Sequence, residues 1–382
     1  TQIQMHKFKT MKKITFAAVL AGAAALVSCN GGNQEGLQMG SLSKFDSLSY
    51  AVGANIGYGL SMQMREIPLD PSRMREGMEE MASGKATLNH DDASEILREY
   101  FMNKRGERMQ AIMKQRAEAD SIRLASGDTT KVEYPVADPA MFLTEEERDS
   151  VSYALGNDIG FAMTNANLPL QIVWIGEGLQ NVFENDARMT QQEVNRYLQN
   201  YFLVTLPMQN EEASTKWLSK IEKKSGVQKT ESGLLYKVID AGDMTVKAAD
   251  KRDVVKVHYT GRTRTGKAFD SSLFENRPKN QQEMLKKQFP DTYNENKPAE
   301  FALNRVIPGW TEGLQLVGKG GKIMLWIPAS LAYGPTGSGS AIGPNEALEF
   351  EVELLDVTPY EEPAPADSTA TAEAPAAEPA TK

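Results

Sequence analysis

The spacing of apolar and polar positions changes partway along this chain of 382 residues. Up to about residue 225 the apolar positions recur every three or four residues. Tyr50, Gly53, Ile56, Gly57 and Leu60 form one such row and Tyr153, Gly156, Ile159, Gly160 and Met163 another, the signature of helices that bury one face. After residue 226 the period falls to two. Val255, Val257 and Tyr259 alternate with polar neighbours, as do Ile323, Leu325 and Ile327, and Phe350, Val352 and Leu354 alternate with Glu349, Glu351 and Glu353. Such alternation marks half-buried antiparallel strands. The pattern predicts an α+β chain, helical first and then a sheet, ending in a Pro-, Ala-, Glu- and Thr-rich tail at 359–382 that lacks the apolar bulk to fold.

The helical part reads as one unit used twice. Residues 46–57, DSLSYAVGANIG, and 149–160, DSVSYALGNDIG, agree at eight of twelve positions with an offset of 103. Ile67, Pro68 and Leu69 are echoed by Leu168, Pro169 and Leu170, Glu76 and Gly77 by Glu177 and Gly178, and Tyr100 and Phe101 by Tyr201 and Phe202, at an offset of 101. A glycine inside a helix costs about 1 kcal/mol against alanine, so the pairs Gly53/Gly57 and Gly156/Gly160 predict close approach of a second helix. Asp70 followed by Pro71 reads as an N-cap with proline at the first helical position, opening a helix through Met74, Met78 and Met81. A third helix is expected from about Asp91 to Ala125. In the second copy Thr190 and Glu193 fit a capping box, and the helix beyond it is expected to reach about Lys224, kinked or interrupted at Pro207. The methionine stripes are read as packing, with an adaptable client-binding surface as the alternative.

The segment from Met11 has the layout of a signal peptide: Lys12 and Lys13, then an apolar run over 14–26. That run is shorter than the roughly 20 residues a spanning helix needs. Its ending, Leu26, Val27, Ser28 and Cys29, resembles a bacterial lipobox, which makes Cys29 a lipidation site; the alternative is an ordinary secretory signal with a chance cysteine. Residues 1–10 read as an upstream mis-start. With Cys29 the single cysteine, no intramolecular disulfide can form. Past residue 28 the chain carries 38 basic against 51 acidic side chains, a net −13, which argues against nucleic acid as a partner. No later stretch is apolar enough to span a membrane, so membrane contact is expected through the lipid alone. The expected organisation is signal peptide 1–28, tether 29–40, helical repeats 41–126 and 144–225 joined by a linker at 127–143, a sheet domain 226–358 with an insertion at 279–298, and the tail.

Five motifs in the sheet domain stand in order: VHYTG at 257–261, GKAFDSS at 266–272, VIPGWTEGL at 306–314, IP at 327–328 with AYG at 332–334, and LEFEVEL at 348–354. Together they resemble the FKBP-type peptidyl-prolyl isomerases. The helical units, with TESGLLY at 230–236, resemble the dimerising N-terminal domain of bacterial FKBPs of the macrophage infectivity potentiator kind. The resemblance implies a bent antiparallel sheet wrapping one short helix that starts near Trp310. It further implies an isomerase needing no cofactor and no metal, whose pocket has Trp310 as floor and Tyr259, Phe269, Val306, Ile307 and Phe350 as walls. Tyr333 would donate its hydroxyl to one substrate carbonyl and the Ile307 N–H would hold another. Asp270 would orient the site near the twisting bond, and Ile342 matches an apolar rim position. Two positions depart from the family pattern: Glu275 stands near where relatives often carry arginine, which puts an Asp–Arg pair with Asp270 in doubt, and Ser338 stands where some carry histidine. His258 reads as a strand residue, and His90 lies far from the pocket motifs, so a metal site lacks support. The insertion, with a short helix expected over 283–289, reads as a tolerated surface loop or a substrate-contacting flap.

The function so implied is isomerisation of Xaa-Pro bonds in unfolded or exported polypeptides, in a pocket open to macrolide-type inhibitors. The expected location is the cell envelope, lipid-anchored at the outer membrane and facing the periplasm; Asn30 after the anchor fits export past the inner membrane. The alternatives are a holdase chaperone that uses the helical repeats and a structural envelope lipoprotein that recruits partners. With both copies in one chain, the protein is either a monomer with internally paired repeats or a homodimer.

Overall fold

The structure, a computed structural model, describes residues 38–164, 168–339 and 341–362. The signal peptide, Cys29, all but the end of the tether and the tail past 362 lie outside the described residues. Helix α1 (Ser47–Gln63) starts at Asp46, whose carboxylate accepts from the Ser49 N–H at 2.6 Å. Helix α2 (Pro71–Ala82) has the cap its sequence predicts, with Asp70 accepting from the N–H groups of Ser72 and Arg73. Helix α3 (His90–Arg98) runs through a π-helical turn, Glu99–Lys104, into α4 (Arg105–Ala125), forming the long third helix. The second copy repeats the order with α5 (Glu145–Thr164), α6 (Ile172–Phe183), α7 (Gln191–Asn200), a π-helical turn Tyr201–Thr205 and α8 (Leu206–Glu222). Thr190 and Glu193 close both halves of the capping box.

Pro207 is not what interrupts the last helix. The first copy has the same π-helical turn with no proline after it, and both turns contain the repeated Tyr-Phe pair. Tyr100 and Tyr201 are buried there, each meeting the following phenylalanine edge-on with ring centroids 5.0 and 5.3 Å apart. Pro207 lies just past the π-helical turn, at the second residue of α8.

The two copies are interleaved. Helix α1 of the first lies on α6 of the second, and α5 of the second lies on α2 of the first. The paired glycines permit this: a β-carbon on Gly53 would stand 1.9 Å from the Ile175 carbonyl oxygen, and one on Gly178 2.2 Å from that of Tyr50. Polar contacts obey the same crossed symmetry, the Asp70 N–H donating to Ser152 Oγ at 2.9 Å and the Gln171 N–H to Ser49 Oγ at 2.8 Å. Both copies therefore share one hydrophobic core. The stretch expected as linker contributes to that core at its far end, where Met141 and Phe142 are buried and the Tyr100 hydroxyl donates to the Met141 carbonyl at 3.0 Å.

The sheet is built from β1 (Gln228–Lys229), β2 (Leu235–Asp240), β4 (Val254–Thr263), β5 (Ala268–Ser271), β6 (Ala299–Ala302), β8 (Lys322–Ile327) and β9 (Leu348–Thr358). Its order is β1-β2-β8-β9-β4-β5, with β6 also on β4. All pairings are antiparallel. The strands β3 (Asp243–Lys247) and β7 (Gly318–Lys319) pair separately. One edge of β4 is shared, β6 taking residues 254–257 and β5 residues 260–262, and a register shift at Lys256/Val257 breaks its ladder with β9. Those irregularities bend the sheet around the short helix α10 (Pro308–Gly313), which lies against β8. The insertion carries α9 (Lys279–Gln288), beginning four residues before the helix its sequence suggests. Among the described residues no helix is long and apolar enough to cross a membrane.

Candidate active site

A cavity of about 360 Å³ opens where β4, β5, β6, β9 and α10 meet, lined by Tyr259, Phe269, Asp270, Phe301, Arg305 and Val306 together with Ile307, Trp310, Tyr333 and Phe350. Trp310 forms the floor: it is 4 % exposed, and the rings of Tyr259, Phe301 and Phe350 stand edge-on to it with centroids 5.2, 5.6 and 5.2 Å away. Phe269 meets Phe350 in the same manner at 5.6 Å. Edge-to-face contacts of this kind fix the orientation of the rings around the cavity. Gly261 is required for that closure, since a β-carbon there would lie 2.6 Å from both the Phe269 and the Phe350 rings.

Asp270 is the cavity's carboxylate, and the Tyr259 hydroxyl donates to its Oδ2 at 2.5 Å. Burial, and then the Asp270 charge, push the Tyr259 phenol well above its ordinary range, with the Arg277 guanidinium opposing. The serines after Asp270 hold its strand: Ser271 Oγ donates to the Tyr259 carbonyl at 2.8 Å, and Ser272 Oγ accepts from the Tyr259 N–H at 2.9 Å. Tyr333 is likewise raised, by burial first and then by Asp270, so it is a protonated donor at neutral pH. Neither its hydroxyl nor the Ile307 N–H has a partner among the described residues, and the same is true of the buried Trp310 indole N–H.

Eight of the nine residues singled out in the sequence converge on this cavity. Ile342 is not among the residues that line it; it is 5 % exposed and packs in the same apolar cluster as Trp310 and Phe350. Phe301 and Arg305 line the pocket without having been identified from sequence. The alternation around Phe301 marks a strand but not which face it serves, and Arg305 reaches the rim only because a 3₁₀ turn, Leu303–Arg305, follows that strand. Glu275 is exposed, and the cation near Tyr259 is Arg277, two residues on. In the insertion, α9 lies beside the site's edge, where Gln281 Nε2 donates to the Phe269 carbonyl at 3.1 Å. His258 Nδ1 is 3.1 Å from Ser272 Oγ, on β4 and outside the cavity lining.

A bent antiparallel sheet, a short helix across its concave face and an aromatic pocket between them define the class: the FKBP fold. The chain belongs to the FKBP-type peptidyl-prolyl cis-trans isomerases, whose family model matches residues 245–355. A second model, for the domain amino terminal to FKBP-type peptidyl-prolyl isomerase, matches twice, at 45–127 and 148–238. The chain is 34 % identical over 260 residues to the FKBP-type peptidyl-prolyl cis-trans isomerase FkpA of Escherichia coli, covering 64 % of this chain and 86 % of that one. It is 32 % identical over 222 residues to the outer membrane protein MIP of Legionella longbeachae, covering 55 % and 86 %. With a probable FKBP-type isomerase of Haemophilus influenzae it shares 42 % identity over 159 residues, 41 % of this chain and 56 % of the relative. The crystal structure of Escherichia coli FkpA aligns over 57 % of this chain and 99 % of that one at 32 % identity, with a TM-score of 0.37.

Proposed function

We propose that the cavity isomerises Xaa-Pro bonds in unfolded or exported polypeptides of the bacterial cell envelope. The observation that carries this reading is the pair of unpartnered donors, the Tyr333 hydroxyl and the Ile307 N–H, at an aromatic cavity holding one fixed carboxylate. A planar peptide bond keeps its resonance and faces a rotation barrier of about 18–20 kcal/mol. The twisted amide has lost that resonance and is the less polar form, so apolar walls favour it over the planar ground state. The two donors hold the carbonyls that flank the bond, while Asp270, pinned by Tyr259, sets the field at the carbonyl that turns. Proline's ring would sit on the Trp310 floor.

The division into two helical repeats, a sheet domain and flanking tether and tail belongs to the same proposal, as does attachment through a lipid on Cys29 at the periplasmic side of the outer membrane. The lipobox-like ending at Cys29 and the outer-membrane name of the Legionella relative support that placement. Interleaving of the copies within one chain supports a monomer.

The test is cis-to-trans isomerisation of an apolar-Xaa-Pro peptide by the whole chain, beside folded Tyr259→Ala and Asp270→Ala variants. Acceleration by the parent that drops at least tenfold in the variants is the expected result. A folded parent inert on several such peptides would overturn the reading.

A further inference from the structure

Helix α8 belongs to the helical repeats by sequence, yet its first half is bound to the loop that carries Tyr333 into the pocket. That loop, described over 334–339 and 341–347, leaves Tyr333 and returns to β9, which supplies Phe350. Asn210, 1 % exposed, donates from Nδ2 to the Pro344 carbonyl at 2.9 Å. Ser214, 4 % exposed, donates to the Asn345 carbonyl at 3.0 Å and accepts from the Ala347 N–H at 3.0 Å. Between them Asn345 sits at φ 55°, in the left-handed region that asparagine tolerates better than most side chains. Its own N–H donates to the Gly334 carbonyl at 2.9 Å, next to Tyr333, and its side chain donates to the Pro207 carbonyl at 3.4 Å. A buried ion pair closes the arrangement from the sheet side: Arg264 Nη1 donates to Glu346 Oε1 at 2.7 Å, and Glu346 Oε2 accepts from the Gly343 N–H at 3.2 Å. Farther along α8, Trp217, Leu218 and Ile221 pack on Leu235, Met324 and Trp326 of the sheet.

We propose that α8 is part of the isomerase site's frame, with Asn210 and Ser214 as positioning residues that hold the 334–347 loop so that Tyr333 faces the substrate carbonyl. This rests on the isomerase reading of the cavity. The Pro344 and Asn345 carbonyls and the Ala347 N–H that these two side chains satisfy have no other partner among the described residues. The isomerase unit then begins near Leu206 and not at residue 226.

The experiment uses the full chain with Ser214→Ala, Asn210→Ala and Ser214→Thr, read by kcat/KM on a prolyl peptide and by amide hydrogen exchange. Ser219→Ala is the control, since that serine bonds only within α8, to the Thr215 carbonyl. In Ser214→Ala, exchange should rise at Asn345 and Ala347 with the sheet amides unchanged, and kcat/KM should fall about tenfold, as small misplacements of a binding group do. Ser214→Thr keeps the hydroxyl and should restore both. Unchanged loop exchange in folded Ser214→Ala and Asn210→Ala, or raised exchange with parental kcat/KM, overturns the inference. An inactive parent would count against the isomerase reading instead, and loop exchange would still decide whether α8 holds the loop.

Discussion

Gly156 and Met74 belong to opposite repeats, and their backbones lie so close that a β-carbon on Gly156 would sit 1.8 Å from the Met74 carbonyl oxygen. No rotamer change relieves a clash with backbone, so Gly156→Ala must part α5 from α2. Overpacking of this severity costs about 3 kcal/mol or more. Gly106 in α4 has open space where its β-carbon would be, and Gly106→Ala should raise stability by up to about 1 kcal/mol through helix propensity. Denaturant titration followed by far-UV circular dichroism checks both. Equal stability of Gly156→Ala and the parent would mean that the crossed helix pairs do not persist in solution.

Because each first helix finds its partner within the same chain, no second copy is needed to bury the glycine-lined faces. Light scattering on the chain from residue 30 onward should give the mass of one chain at micromolar concentration. A mass of two chains, unchanged on dilution, would rule this out.

What the sequence makes legible is local. Asp70-Pro71 and Thr190 with Glu193 announce their helix starts because capping is decided within four residues, and the period of two separates sheet from helix because side chains alternate on a strand. The glycine pairs announce a close neighbour without naming it: that Gly53 meets Ile175 depends on which copy folds over which, and periodicity carries no such information. The pocket's aromatic positions are readable because they sit in compact motifs. Phe301 is separated from the preceding motif by the 279–298 insertion, and Arg305 reaches the pocket rim through a 3₁₀ turn, so neither stands out. Ile342, matched to a rim position by resemblance, is buried beside the pocket and not among its lining residues, a difference of depth that a one-dimensional motif does not carry.

Arg305 lies exposed on the pocket rim and makes no ion pair or hydrogen bond among the described residues, in a chain whose formal charge is −9. An unpaired guanidinium at the mouth of an apolar cavity attracts anionic substrate segments. Peptides with glutamate flanking the Xaa-Pro pair should be turned over about threefold better than lysine counterparts at low ionic strength, and the difference should vanish near 1 M salt. Arg305→Glu should invert the order without altering thermal stability. Identical charge preference in Arg305→Glu and the parent would sink the idea.

Glu147 ties the second repeat to the first. Its carboxylate takes Arg108 at 2.6 and 2.9 Å, Lys104 at 3.3 Å and the Leu143 N–H at 3.0 Å. Burial alone would raise its pKa, but the Arg108 and Leu143 hydrogen bonds and the positive charges together outweigh burial and hold it at about 2. A carboxyl depressed in the folded state binds its proton more readily when unfolded. Its contribution is therefore fully present above its ordinary pKa of 4.5 and is lost as pH falls from there towards 2. At neutral pH Glu147→Gln should be less stable than the parent by about 2 kcal/mol, allowing for partial solvent screening, and the two should converge as pH falls through that window. Denaturant titrations across that range measure the gap directly. A difference that stayed constant with pH would show that Glu147 acts through packing and not through its charge.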